Sequence, residues 1–208
     1  MAVKIVTDST SDITGDLARK LGVTVVPLTV SFGRESFLDR VEITTDEFYR
    51  RLSQESIFPT TTQPAPGAFV DIYSKLAKET DEILTIVISS KLSGTYQSAT
   101  NAKNMVGDRC RIEVIDSTKV AMGFGLLVIA AAEAAQGGTG LDEIMAMVNA
   151  KIPRSNSVFY FETLKYLAKG GRIRVRHLVE EPFHDGVERH WEITSGKWRA
   201  VPAQAGER

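Results

Sequence analysis

The stretch EILTIVIS, residues 82–89, constrains this chain more than any other. It is a short apolar run rich in β-branched residues, the mark of a strand buried on both faces. It runs directly into SKLSGTYQSATNAKNMV, where Tyr96, Ala99 and Ala102 recur at helical spacing. The same alternation repeats along the chain. VKIVT (3–7) precedes a helical stretch, Thr14 to Leu21, closed by Gly22. VTVVPLTVSF (23–32) reads as one further strand, with Pro27 marking an edge or bend. Thr44 and Glu47 form a capping-box signature ahead of a helix from Thr45 to Gln54. A helix is expected near Ala68 to Lys78, with Phe69, Ile72, Tyr73 and Leu76 on one face. RIEVID (111–116) is another strand, followed by an apolar helix within Val120 to Ala135, stopped by Gly137 and Gly138. Leu141 to Lys151 is amphipathic, SVFYFE (157–162) is a strand, and TLKYLAKGG is a short helix. Strands alternating with helices predict an α/β fold, a mostly parallel sheet flanked by helices. Ligands of such sheets bind at the carboxyl ends of the strands.

The 208 residues suffice for one domain with a sizeable core, or for a domain and part of a second. Net charge is −1, which offers no electrostatic case for nucleic acid or an anionic membrane. The run Val120 to Ala135 is too short to span a bilayer and contains Glu133. The N-terminus lacks the pattern of a signal peptide. The single cysteine, Cys110, reads as a small buried hydrophobe beside a strand, in a cytoplasmic setting. The chain has no Walker A motif and no G-x-G-x-x-G, and no Cys or His pair has metal-ligand spacing. No histidine precedes residue 177, which disfavours a Ser-His-Asp triad. No metal and no cofactor are expected.

Four stretches are candidate sites. PTTTQP (59–64) is bounded by prolines that bias Phe58 and Gln63 toward extended backbone. It presents Thr60 to one side and Thr61 to the other, as a ligand clamp or as a solvated connection. SKLSG places Ser93, Gly94 and Thr95 at a helix N-terminus, a natural seat for a carboxylate or phosphate. Ser93 as a plain N-cap of its own helix explains the same residues. In TDSTSD (7–12), Asp8 and Ser9 either cap the next turn or reach the same crevice. A carboxylate at Asp8 would repel an anion, so its expected role is to hold the loop. IDST (115–118) repeats the Asp-Ser pair with the same two readings.

Five stretches then occur in order: VTDSTSDI, TTQPAPGAF, SSKLSGTYQSA, IDST with MGFGLLV, and LKYLAKGGRI. Over roughly residues 3–173 they resemble the DegV family of bacterial fatty-acid-binding proteins, which includes the acyl-carrying subunits of fatty acid kinase. The resemblance implies an α/β lobe, here 1–152, followed by an α+β C-terminal lobe, here 153–208, with a long-chain fatty acid in a tunnel between them. The family's Thr-Ser-Gln-Pro motif is met by Thr61, Thr62, Gln63 and Pro64, with Thr62 in place of serine. The resemblance implies that Thr61 and Ser93 bind the acyl carboxylate, with Ser9, Gly94 and Thr95 around them, and that Arg172 contacts the kinase subunit. Such a chain binds and presents the lipid in phospholipid metabolism, and a partner kinase performs phosphoryl transfer, so the chain itself is not an enzyme. The glycines at 123 and 125 allow close approach along the tunnel or in plain core packing.

After Ile173 the resemblance stops. The family continues into a second lobe whose basic or imidazole side chains help reach the carboxylate. Here the tail carries all three histidines, His177, His184 and His190, and both tryptophans, and no family role transfers to them. HWEIT and SGKWRAV fit a hairpin turning at Ser195 and Gly196. The expectation is an incomplete C-terminal lobe that leaves the pocket open on one side. Two other readings stand beside the carrier: a remnant with impaired lipid binding, and an enzyme acting on a small carboxylate or phosphate. Against the enzyme, no His, Cys or Lys is expected beside Thr61 and Ser93 to act as acid or base.

Overall fold

The computed structural model describes residues 2–161, 163–172, 190–194 and 197–201. The chain divides into two units, Met1–Ser155 and Asn156–Arg208. In the first unit the elements run β1 (Lys4–Asp8), α1 (Gly15–Leu21), β2 (Val23–Val26), β3 (Thr29–Phe32), β4 (Glu35–Leu38), α2 (Thr45–Gln54) and β5 (Thr60–Thr62). They continue through α3 (Pro66–Leu76), β6 (Glu82–Val87), α4 (Thr95–Val106), β7 (Arg111–Asp116), α5 (Met122–Gln136) and α6 (Leu141–Lys151).

Four strands form a parallel sheet in the order β2-β1-β6-β7. Successive side chains of a strand point to opposite faces, so a run apolar at every position must be covered twice. Ile5, Leu84 and Ile86 pack against Ala18 of α1, Phe124, Leu127 and Val128 of α5, and Ile144 of α6. Val6, Ile83 and Val87 face the other way, onto Phe69 and Tyr73 of α3 and Ala99 and Ala102 of α4. The one polar residue inside β6, Thr85, is fully buried and bonds Tyr73 Oη at 2.9 Å, which satisfies both hydroxyls. The low polarity of α5 follows from its position: seven of its residues, from Phe124 to Ala135, are buried.

A second, antiparallel sheet, order β4-β3-β5, carries α2. Val30, Phe32 and Ile43 are its core, with Phe37 and Phe48 packed against them. Arg51 of α2 lies 4.5 Å over the Phe32 ring and pairs with Glu35 and Glu55. The segment 23–32, expected as one strand, is therefore two strands in two sheets. Pro27 has no N–H to continue the ladder, and the Leu28 N–H donates to Ser9 Oγ at 3.1 Å instead. The strand β4 has no counterpart in the sequence reading. It is reached by a two-residue turn in which Gly33 has φ +63°, with Phe32 opposite Glu35. The third helix begins at Pro66, two residues earlier than expected, because proline suits the first helical position.

In the second unit, β8 (Val158–Tyr160) precedes α7 (Lys165–Lys169), β9 (His190–Thr194) and β10 (Lys197–Val201). The three strands form an antiparallel sheet, order β10-β9-β8, so the strand read at 157–162 does not belong to the parallel sheet. Lys197 pairs with Thr194, the register of the hairpin read from HWEIT and SGKWRAV. Its turn residues Ser195 and Gly196, and His177 and His184, lie outside the described residues.

Phe69 is fully buried between α3 and the sheet. Phe69→Ala is expected to lower the unfolding free energy by about 3–5 kcal/mol in urea melts. Val41→Ala, at a position 69% exposed, is expected to shift it by no more than about 0.5 kcal/mol.

Candidate ligand site

In the order β2-β1-β6-β7 the chain leaves β1 toward β2 on one side and later returns to place β6 on the other. The loops after β1 and β6 therefore diverge, and the crevice between them is the switch point where α/β sheets bind ligands. Asp8, the last residue of β1, is fully buried there. One of its oxygens accepts the Thr10 N–H at 2.9 Å and also bonds the Thr10 hydroxyl; the other accepts the Ile88 N–H at 2.9 Å. Burial raises its carboxyl above the ordinary 3.8, against these hydrogen bonds. Asp8 holds the loops, as its expected repulsion of an anion suggested. Ser9, expected near the ligand, is 2% exposed and accepts the Leu28 N–H, so its place is in the frame of the crevice.

The loop after β6 is wound by Ser89, whose carbonyl accepts the N–H groups of Leu92 at 3.0 Å and Ser93 at 3.1 Å. The N-cap of α4 is Gly94, one residue later than the Ser93 expected from sequence. Ser93 still accepts the Thr95 N–H at 3.3 Å, and its hydroxyl lies 2.8 Å from Thr95 Oγ1. Half-buried Ser93 thus stands at the head of a twelve-residue helix, with fully buried Thr95 orienting its hydroxyl. The first turn of such a helix offers N–H groups and a positive dipole end to an anion.

The strip Thr60–Thr62 is the edge strand β5, exposed throughout, with Thr61 opposite Val30 and Thr60 opposite Ser31. The hydroxyls of Thr61 and Thr62 have no hydrogen-bond partner among the described residues. Gln63 joins this strip to the other loop. A Cβ built on Gly94 would lie 2.7 Å from Gln63 Cδ and closer still to its amide nitrogen. Only a residue without a side chain lets the Gln63 amide lie on that turn. The structure thus brings Thr62, Gln63, Ser93, Gly94 and Thr95 into one neighbourhood at the head of α4. Arg172, exposed in the second unit, donates to the Gly170 carbonyl at the end of α7 at 2.5 Å.

Two features escaped the sequence. Ser11, at the first crevice loop, is fully buried and its hydroxyl has no partner among the described residues. Its carbonyl lies against Gly125, where a Cβ would collide with it, so Gly125 serves close packing of α5 on that loop. Lys119, after β7, is 4% exposed, and its carbonyl accepts the Ser89 N–H at 3.0 Å. Its backbone thereby braces the loop that carries Ser93. The signal available was its place in the loop after the RIEVID strand. Cys110 is buried as expected, with its thiol pushed up by burial. Among the described residues no group of His, Cys, Asp and Glu could hold a metal ion, and no helix is long and apolar enough to cross a membrane.

A parallel α/β unit with a loop crevice at its switch point defines the class, and comparisons with known proteins narrow it. The DegV family model matches residues 2–177. A DegV domain-containing protein of Caldanaerobacter subterraneus is 45% identical over 171 residues, 82% of this chain and 60% of the relative. One from Clostridium acetobutylicum is 40% identical over 82% of this chain and 61% of the relative. Among solved structures, a DegV family protein from Thermus thermophilus, described for its fatty acid binding, matches with TM-score 0.86 and 34% identity, covering 97% of this chain and 71% of that one. DegV of Bacillus subtilis, a fatty acid binding protein, matches with TM-score 0.86 and 26% identity, covering all of this chain and 73% of that one. The chain belongs to the DegV family. It spans about three fifths of the length of these curated relatives.

Gly94→Ala is expected to lower stability by about 1 kcal/mol and Gln63→Ala to relieve most of that loss, a coupling read from a double-mutant cycle in urea. The raised carboxyl of Asp8 means that the folded state holds its proton above pH 3.8, where the unfolded chain has lost it. Its stabilising contribution is complete below that pH and erodes as pH rises through the folded value. The stability of the wild type minus that of Asp8→Asn is therefore expected to fall from pH 3.8 toward neutrality in denaturation series.

Proposed function

We propose that this chain binds a long-chain fatty acid, with the carboxylate held by Ser93 and Thr61 and supported by Thr62, Gln63, Gly94 and Thr95. The observation that carries the reading is the seat of Gln63 on Gly94, which draws the threonine strip to the head of α4. Hydroxyls and a helix N-terminus meeting at one point suit a small anion, and a carboxylate is the anion borne by fatty acids. The Thermus and Bacillus relatives, and a stearic acid-binding protein from Eubacterium ventriosum at 29% identity and TM-score 0.87, support a lipid as its bearer. The acyl tail requires apolar surface. Met122 and Leu126, one turn apart on α5, are both exposed. Burying sixteen carbons would contribute on the order of 10 kcal/mol before ordering costs.

In this reading the chain is a carrier rather than a catalyst. It presents the lipid to a separate ATP-dependent kinase, with Arg172 at the partner's surface. Its setting is the cytoplasm, and it needs no cofactor of its own.

Organic-solvent extraction of the purified protein, followed by mass spectrometry, is expected to release a C16–C18 acid in stoichiometric amount. Ser93→Ala and Thr61→Val are each expected to weaken palmitate binding about tenfold or more, the worth of one hydrogen bond to a charged group. Finding no lipid, and no palmitate binding by delipidated protein, would sink the reading.

A further inference from the structure

The Ser93 hydroxyl has a fixed polarity. Its oxygen lies 2.8 Å from Thr95 Oγ1 and also accepts the Thr95 N–H at 3.3 Å. A hydroxyl has one proton to donate and two lone pairs with which to accept. Which of the two oxygens donates across the 2.8 Å contact follows from burial. Thr95 is fully buried, and among the described residues its hydroxyl has no hydrogen-bond partner but the Ser93 oxygen. If Ser93 donated, the Thr95 proton would be enclosed in the fold without an acceptor, which costs more than an ordinary hydrogen bond gains. Thr95 therefore donates to Ser93.

The Ser93 oxygen thus receives two hydrogens, one from the Thr95 hydroxyl and one from the Thr95 N–H, and both of its lone pairs are filled. Only its own proton is left. That proton has no acceptor among the described residues, and Ser93 is half-buried, so the proton is available on the open side of the residue. The other loop serines differ. The Ser117 hydroxyl accepts the Lys119 N–H at 3.2 Å and donates to the Lys119 carbonyl at 3.4 Å, a closed pair. Ser9 and Ser89 accept the N–H groups of Leu28 and Lys91 and are almost fully buried. Of these four serines, only Ser93 combines a filled oxygen, an uncommitted proton and contact with solvent.

We propose that Thr95 is the positioning residue that makes Ser93 a donor only, and so sets the headgroup the site takes: one with acceptor oxygens, such as a carboxylate, and not one that only donates, such as an alkylammonium. The inference rests on the fatty-acid reading and deepens it. Ser93 touches the ligand, and Thr95 acts through Ser93 from a place shut off from solvent.

The test uses delipidated full chain with palmitate and with hexadecylamine, which share a tail and differ in whether the headgroup accepts or donates. Thr95→Val and Thr95→Ala are each expected to bind palmitate about fivefold more weakly, the worth of one neutral hydrogen bond. Both are expected to narrow the preference for palmitate over hexadecylamine, because the Ser93 oxygen regains a free lone pair. Thr95→Ser, which keeps the hydroxyl, is expected to recover most of the affinity and of the preference. In a Ser93→Ala background, Thr95→Val is expected to change palmitate affinity by no more than about twofold, since a residue that acts through Ser93 has nothing left to act on. In lipid-free protein, Ser93→Ala is expected to lower the urea midpoint of the wild type, by leaving the Thr95 hydroxyl without an acceptor, but not that of Thr95→Val. Losses of palmitate affinity that add in the Ser93 and Thr95 cycle, or a Thr95→Ser no better than Thr95→Val, overturn the role of Thr95 and leave the fatty-acid reading standing. A wild type that binds no palmitate overturns that reading and this proposal with it.

Discussion

The first unit depends on one buried carboxylate. Asp8 ends β1, and its hydrogen bond to the Ile88 N–H ties the loop after β1 to the loop after β6 where the strand order reverses. Without that tie the two loops would diverge with unsatisfied N–H groups at a dry edge. With it, the edge becomes a fixed crevice. Asp8 tolerates burial because its oxygens accept two backbone N–H groups and a hydroxyl. Its raised carboxyl is the cost of that position.

The rest of the crevice is layered onto this frame. Ser9 holds the bend at Leu28, Ser89 winds the turn before α4, and Ser117 shapes the loop before α5. The ends of β1, β6 and β7 are each followed by a serine spent on a backbone group, and each of the three is almost fully buried. Ser93, Thr61 and Thr62 differ from them in keeping contact with solvent. That division separates the polar groups that build the loops from those left open to solvent.

The antiparallel sheet supplies the other side. Its strand β5 has no hydrophobic face of its own and holds its place by pairing with β3 and by the contact of Gln63 with Gly94. Arg51, stacked on Phe32 and paired with two glutamates, fixes α2 over that sheet and so fixes the strip as well. The site is a junction of two small sheets within one unit, and the glycine at 94 is the point where they meet.

Much of this was legible in the sequence, because local chemistry decided it. Runs such as EILTIV and RIEVID are apolar at consecutive positions, which only a strand covered on both faces can bury. The capping pair at Thr44 and Glu47 and the apolar run before Gly137 marked their helices with similar economy. Turn chemistry singled out the 59–64 strip and Ser93 with their alternatives open, and the resemblance to the DegV family gave Thr61, Ser93 and Gln63 their expected place at a carboxylate. What only the tertiary structure decided were the relations between distant segments. The split of residues 23–32 into two sheets depends on Ser9 reaching Leu28 across nineteen positions. The need for glycine at 94 depends on where Gln63 lies. Periodicity carries the burial of an element, but contacts across the fold determine which polar groups are left over for a ligand.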